Sequence, residues 1–220
     1  MFVNNYLQQK ILSSSNSHFF CSIETESGDP KSEFSETHRT ELDSHANMPV
    51  IGRNARVIST SDKTCDVKAF SPEIRPLKVK MVDAAVEYIC PYSGQSYILV
   101  IRNGLYVPSM AHNLIPPFIM REVGIRVNDT AKIHLSNPTE EDHAIIFAEE
   151  NFRIPLRLNG IFSFFETEKP SVASLNDGEN VFVLTPEKWN PFNGAFASSE
   201  DSMLDQMGNM VLPKFRQKIV

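Results

Sequence analysis

Cysteine is scarce in this sequence, and the few cysteines exclude two classes of small protein. Cys21, Cys65 and Cys90 are odd in number, and none of them belongs to a Cys-x-x-Cys pair. Neither a disulfide framework nor a zinc knuckle is therefore indicated. We expect all three to be reduced thiols.

Long apolar runs and an excess of positive charge are also missing. No stretch approaches the roughly 20 apolar residues that a membrane span needs, and the first residues lack the basic and apolar segments of a secretory signal. The net charge is -6 at pH 7, whereas nonspecific binding to nucleic acid depends on Lys and Arg. We expect a soluble, intracellular protein of the cytoplasm that binds neither membranes nor nucleic acid directly.

The composition that is present suits one globular domain with polar ends. Of the 220 residues, 41% are apolar and 22% are charged, as in a chain with a single core. We predict a flexible leader at residues 1–36, because this end is rich in Ser, Thr and Glu. A domain at residues 37–167 and a linker with a loosely structured tail at residues 168–220 follow.

Short β-branched and aromatic runs, separated by Pro, Asn and Gly, indicate an all-β domain. Pro91–Gly94 predicts a hairpin turn, and Ile115–Val123 predicts one short helix that begins at the prolines and ends at Gly124. The candidate strands are Val67–Phe70, Leu77–Val82, Ala85–Cys90, Ser96–Arg102, Ile125–Asn128, Ala144–Ala148 and Ile161–Phe165.

Leu42, Asp43 and Ser44 form the first motif with chemistry in it. An apolar residue is followed by Asp and then by a hydroxyl residue, and the apolar pattern resumes at Val50 and Ile51. Aspartic proteases present a carboxylate at the end of a strand in this way. The tripeptide alone is a weak signal, because Leu-Asp-Ser recurs by chance in loops and caps.

The second motif is Leu105-Tyr-Val-Pro-Ser-Met-Ala-His-Asn-Leu-Ile115, continued by Ile119 to Val127. It resembles the strand, turn, Asn-Leu-apolar, short helix, Gly and strand with which retroviral and copia-type proteases close their core. Val82–Ala85, Asp142-His143 and Ile154–Leu156 also agree with copia-like elements. The resemblance to the protease region of a copia-like retrotransposon Gag-Pol polyprotein spans more than half of the chain.

The resemblance implies a retropepsin-like closed barrel and an aspartic endopeptidase of a transposable element, which cleaves its own polyprotein. Only one such aspartate motif is present, so Asp43 would meet its copy in a homodimer. Two adjacent carboxylates share a proton; the charged one activates water, and the neutral one hydrogen-bonds the peptide carbonyl. No metal and no cofactor are needed, and the enzyme would be cytoplasmic, free or in virus-like particles.

The residues after Asp43 take their roles from the resemblance. Ser44 matches a hydroxyl that braces the two active-site loops across the dimer, Ala46 lies in the substrate groove, and Asn47 matches a position that bonds substrate backbone. His45 departs from the family, which usually has Gly there, so its side chain would crowd the dyad or add a group that titrates near neutrality. The expected lid is the hairpin Val67–Val82, with its tip at Ser71–Pro76.

Because His45 stands where the family usually has Gly, the chain has an alternative interpretation, in which it is not an active enzyme. The chain would then be an inactive relic that serves as a dimeric, protease-like module for peptide binding or structure. The sequence is also that of either a fragment of a longer polyprotein or a decayed copy.

Two other chemistries are disfavoured by the sequence. Zinc binding by His38, Asp43 and His45 lacks a fourth ligand at a recognisable spacing. A serine triad of Ser44, His45 and Asp43 is set aside, because neighbours on a strand point to opposite faces. The remaining histidines, His112, His134 and His143, are interpreted as surface or loop residues.

Overall fold

The structure is a computed structural model that describes residues 38–68, 73, 75–176 and 180–211, and the backbone of residues 18–20. The chain forms two compact units, residues 1–188 and residues 189–220. No helix in the described ranges is both long enough and apolar enough to cross a membrane.

Ten strands of the first unit form one mixed sheet. They are β1 (His18–Phe20), β2 (Arg39–Leu42), β3 (Val50–Ile51), β4 (Arg56–Lys68), β5 (Leu77–Ile89), β6 (Ser96–Tyr106), β7 (Asn113–Ile115), β11 (Arg157–Asn159), β12 (Phe162–Glu166) and β13 (Val181–Val183). Their order is β1-β4-β5-β6-β3-β7-β2-β12-β11, and β13 pairs with β6. β1 lies within the expected leader and runs parallel to the end of β4.

A smaller sheet consists of β8 (Arg126–Asn128), β9 (Ala144–Phe147) and β10 (Phe152–Pro155), all antiparallel, with β9 in the middle. The two sheets share one apolar core. Ile101 and Val86 of the large sheet belong to it, together with Val127, Ile145 and Ile154 of the small sheet. Every residue of β9 is buried, so the central strand of the small sheet lies in the protein interior.

The closed barrel expected from the resemblance is wrong. In the described residues β1 and β11 are the two edges of the large sheet, and no strand pairing joins them. The physical reason is that the small sheet and the large sheet bury their apolar faces in a common core, so closure of one sheet on itself is not required. The short helix expected within Ile115–Val123 is present as Pro117–Arg121, and it is the one α-helix among the described residues of the expected domain 37–167.

The hairpin of β4 and β5 is longer than the sequence predicts. The predicted strands Leu77–Val82 and Ala85–Cys90 form one strand, Leu77–Ile89. Its pairing with β6 shifts in register between Val82 and Ala84, and its pairing with β4 shifts at two further points. Asp83 accepts hydrogen bonds from the Ser59 hydroxyl at 2.9 Å and from the Asn103 backbone N–H at 3.0 Å. Its carboxylate therefore links β4, β5 and β6 where the ladder is irregular.

Three short strands define the place of the aspartate motif. β7 lies between β2 and β3, parallel to β2 and antiparallel to β3. The connection at residues 43–49 therefore passes over the end of β7. Because β7 leads directly into the helix region, this connection and the start of the first helix lie at the same end of the sheet.

The helices are short: α1 (Pro117–Arg121), a 3-10 turn (Lys132–His134), α2 (Val172–Asn176) and, in the second unit, α3 (Ala195–Asp201). Proline at the first position favours the start of α1. Gly124, with φ of +82°, ends its last turn. The second unit contains α3, a stacked ring pair of Trp189 and Phe196 with centroids 5.6 Å apart, and an isolated bridge between Leu204 and Met210.

Candidate active site

Asp43 is the first residue after β2, and its carboxylate is fixed by the backbone that follows it. Its Oδ1 accepts hydrogen bonds from the N–H groups of His45 at 2.9 Å and Ala46 at 3.2 Å. Its own N–H donates to the carbonyl of Ile115 at 3.1 Å. The side chain is buried except for 8% of its surface. The end of β7 and the tight turn together determine where this acid points.

The other predicted residues of the loop differ in exposure. Ser44 and His45 are exposed, Asn47 is half-buried, and Ala46 is buried. The Ser44 hydroxyl lies 3.4 Å from Nδ1 of His45, a distance at the weak limit of hydrogen bonding. The side chains of Ser44 and His45 therefore project from the turn, whereas Ala46 anchors it.

A pocket of about 420 Å³ opens at Asp43. It is of the size of a small-ligand or peptide subsite. Its lining comes from the β2 turn, the region around α1, and the β11–β12 hairpin. The lining residues are Glu41, Leu42, Asp43, Ser44, His45, Met110, Leu114, Pro117, Asp129, Ile161, Phe162 and Ser163.

Two further carboxylates reach this pocket, and both have basic partners in the same chain. Glu41 is buried and accepts a hydrogen bond from Nε of Arg39 at 2.5 Å, and Nε2 of His112 lies 3.6 Å from its other oxygen. Asp129 forms an ion pair with Arg121 at 3.2 Å. Neither acid is placed as Asp43 is, in a turn whose N–H groups orient it.

One wall of the pocket is apolar and open to solvent. Ile161 is 88% exposed and Phe162 is 40% exposed, although both line the same pocket as Asp43. They belong to the β11–β12 hairpin, whose turn contains Gly160 with φ of +60°. Exposed apolar side chains beside a carboxylate are typical of a surface that receives an apolar group.

A buried histidine, His143, forms a hydrogen bond with Ser163, one of the residues that line the pocket. His143 is 5% exposed and precedes β9 with φ of +51°. One of its ring nitrogens, Nε2, lies 2.9 Å from the hydroxyl of Ser163 on β12. Burial lowers the pKa of His143, the positive charge of Lys132 lowers it further, and Asp129 partly opposes the shift. His143 is therefore neutral at pH 7.

The remaining histidines and the other acids form no metal site in the part of the chain that is described, where no group of three or more His, Cys, Asp or Glu side chains could hold an ion. His134 is exposed. His112 and His143 lie in loops but are buried, because each lies over a strand end and packs into the first unit.

The expected lid is a hairpin, but three of the six residues of its expected tip, 71, 72 and 74, lie outside the described residues. β4 and β5 pair up to Val67 and Leu77. The described residues that line the Asp43 pocket include none from this hairpin. The role of the hairpin as a lid stays a prediction.

Several pocket residues were missed by reasoning from the sequence. Glu41 was detectable, because it lies two positions before Asp43 in extended chain and so on the same face. Asp142-His143 was noted as part of the resemblance, but no local motif connects His143 with Ser163, which is 20 positions away. Their contact depends on the approach of the small sheet to β12, which no spacing rule reveals.

Comparison with known proteins gives no independent assignment. No protein-family model, no curated protein and no solved structure matches this chain. The function must therefore be argued from the pocket and the motifs.

Proposed function

We propose that this chain is the aspartic endopeptidase of a copia-like retrotransposon and that it acts as a homodimer on its own polyprotein. The observation that carries the proposal is the position of Asp43. Its carboxylate is oriented by two backbone N–H groups at the edge of a pocket large enough for a peptide side chain. Orientation by fixed backbone dipoles is what a general acid–base group needs.

The second acid of the dyad comes from a second copy of the chain. Glu41 and Asp129 are the other carboxylates of the pocket, but Arg39 and Arg121 pair with them. An ion pair with an arginine already engages each of these two carboxylates, so neither is placed to share a proton with Asp43. Asp43 of a symmetry-related chain has the same surroundings as Asp43 of the first chain. Two equivalent acids share one proton readily.

The apolar wall supports a peptide as the substrate. Ile161 and Phe162 are exposed beside Asp43, and Leu114 and Pro117 lie on the α1 side. Burial of an apolar side chain against such a wall stabilises the bound peptide by about 25 cal/mol per Å² of buried apolar surface. We therefore expect cleavage between apolar residues.

His45 does not fill the pocket, and this removes one objection to activity. Its side chain is exposed, and its backbone N–H donates a hydrogen bond to the Asp43 carboxylate. A Gly at this position would supply the same N–H group. His45 is nevertheless one of the residues that line the pocket, so a bound peptide would lie near it.

The direct test is Asp43→Asn in the full chain, assayed by peptide digestion. Loss of at least about 10²- to 10⁴-fold in kcat/KM is expected, because the substitution removes both acids of the dyad in the homodimer, and one acid–base group alone contributes about that much. A statine-type peptide with a hydroxyl should inhibit the wild type. Asp62→Asn, on the exposed side of β4, is the matched control and should cleave normally. Unchanged cleavage by the Asp43 variant would contradict the proposal.

A second candidate is a dimeric module without catalysis, which keeps the pocket to bind peptides or to hold a polyprotein together. One observation favours it: an Asp that accepts hydrogen bonds from the N–H groups two and three positions ahead is also a common structural turn. Peptide binding that survives Asp43→Asn, without cleavage by the wild type, would support the module.

A further inference from the structure

We propose that Ser163 is a substrate-binding residue of the Asp43 pocket, where its hydroxyl accepts a hydrogen bond from a backbone N–H of the bound peptide and His143 is the residue that positions it. This inference rests on the proposed function. It assigns a role to two residues that the aspartate motif does not include.

The geometry holds the Ser163 hydroxyl in one place. Its Oγ lies 2.9 Å from Nε2 of His143, and the ring of His143 is buried. The backbone of His143 is held as well, since its carbonyl accepts the N–H of Leu156 at 2.8 Å. A hydroxyl otherwise rotates freely, so this contact reduces the freedom that peptide binding would have to remove.

After its hydrogen bond with His143, the Ser163 hydroxyl oxygen can still accept a hydrogen bond from a ligand in the pocket. When Nε2 carries no proton, the Ser163 hydroxyl donates to it and both lone pairs of Oγ are left. When Nε2 carries a proton, it donates a hydrogen bond to Oγ of Ser163, and one lone pair of Oγ is left. In both tautomers of the neutral ring the serine can accept a hydrogen bond from a peptide N–H.

The surroundings give this acceptor a specific use. A peptide in the pocket buries backbone N–H groups, and each of these needs an acceptor. Glu41 and Asp129 are paired with arginines, and Asp43 belongs to the proposed chemistry. Ser163 offers an uncharged acceptor in the same lining. It is next to Phe162 in the chain, so apolar and polar recognition come from one hairpin.

The test measures binding of a statine-type peptide inhibitor and of its backbone-ester analogues by calorimetry. Each ester replaces one amide N–H by oxygen without adding bulk. At one position the ester should weaken binding to the wild type by about 3- to 10-fold, as expected for one neutral hydrogen bond. Ser163→Ala should lose this discrimination at that position alone, and Ser163→Thr should keep it.

Two controls separate positioning from folding. His143→Asn tolerates the positive φ but is too short to reach Ser163, so the discrimination should shrink while the protein stays folded. Ser59→Ala removes a serine that hydrogen-bonds Asp83 away from the pocket, and the discrimination should be that of the wild type.

The outcomes distinguish the two proposals. If Ser163→Ala keeps every ester penalty while Asp43→Asn still weakens inhibitor binding, Ser163 has no binding role and the aspartic protease stands. If the inhibitor does not bind the wild type, or binds regardless of Asp43, both the proposed function and the role of Ser163 are overturned.

Discussion

Asn113 is the side chain that ties the aspartate strand to its neighbours. It is completely buried; its Oδ1 accepts the N–H of Gly52 at 2.9 Å, and its Nδ2 donates to the hydroxyl of Thr40 at 3.2 Å. The resemblance implies that Asn113 lies in a turn with a structural role, but Asn113 is the first residue of strand β7. Its side-chain amide joins Thr40 on the strand before Asp43 to Gly52, which follows β3.

Asn113→Leu should destabilise the protein by about 1–3 kcal/mol for each buried polar group that it leaves without a partner. The measurement is the free energy of unfolding in urea. Asn128→Ala loses one exposed hydrogen bond to the carbonyl of Glu141 and should change stability by less than about 0.5 kcal/mol. Equal effects of the two substitutions would show that the Asn113 network is unimportant.

His143 should make stability depend on pH. Its pKa in the folded protein is below the ordinary value of 6.5, because it is buried and near Lys132, with Asp129 opposing. As the pH falls below that ordinary value, the unfolded chain takes up the proton first, so the folded state loses stability. Above it both states are neutral and this contribution is complete.

The expected result is a fall in the urea midpoint of the wild type between pH 7.5 and pH 5.5 that His143→Asn shows to a smaller extent. His134→Asn, at an exposed position, is the control and should follow the wild type. The same pH dependence in all three proteins would show that His143 does not contribute to it.

At the scale of elements, the residue types of the sequence predicted the hairpin turn correctly, but they did not predict the short strands. The turn at Pro91–Gly94 forms as the residue types require, with Gly94 at φ of +70° and the N–H of Cys90 donating to the carbonyl of Gln95. β3 and β7 have two and three residues, which is too short for any periodic signal. Most of β4 was missed, because Ser59 to Thr64 are all polar and so show no alternation of apolar and polar residues.

β13 is an element whose contribution can be measured. Val181–Val183 lies parallel to β6, and the N–H of the following Leu184 donates to the carbonyl of Val100 at 2.8 Å. Leu184 is completely buried in the shared core. The sequence showed only a short apolar run here, and nothing local indicated which strand it would pair with.

Leu184→Ala should therefore destabilise the full chain by about 2–5 kcal/mol, through lost burial and the cavity that remains. The measurement is again urea unfolding. Val183→Ala, at a position that is 37% exposed on the same strand, should cost clearly less. If the two substitutions cost the same small amount, β13 does not belong to the core.

At the scale of the whole molecule, the expected barrel failed for a reason that sequence patterns do not contain. Alternating strands indicate which faces are buried, but not which sheet covers them. The second sheet, β8 to β10, buries the face that a barrel would have buried internally. The aspartate turn was predicted nevertheless, because it depends on a few adjacent residues and not on closure.

Two Asp43 side chains, one from each chain of a dimer, are expected to form the catalytic pair, and mixed dimers test this directly. Wild-type chain is unfolded and refolded together with an equal amount of Asp43→Asn chain, and peptide cleavage is measured. Random pairing leaves wild-type chains in like pairs only about half of the time. The expected activity of the mixture is therefore about half of that shown by the same amount of wild-type chain alone. Full activity in the mixture, with dimers verified by size, would contradict it.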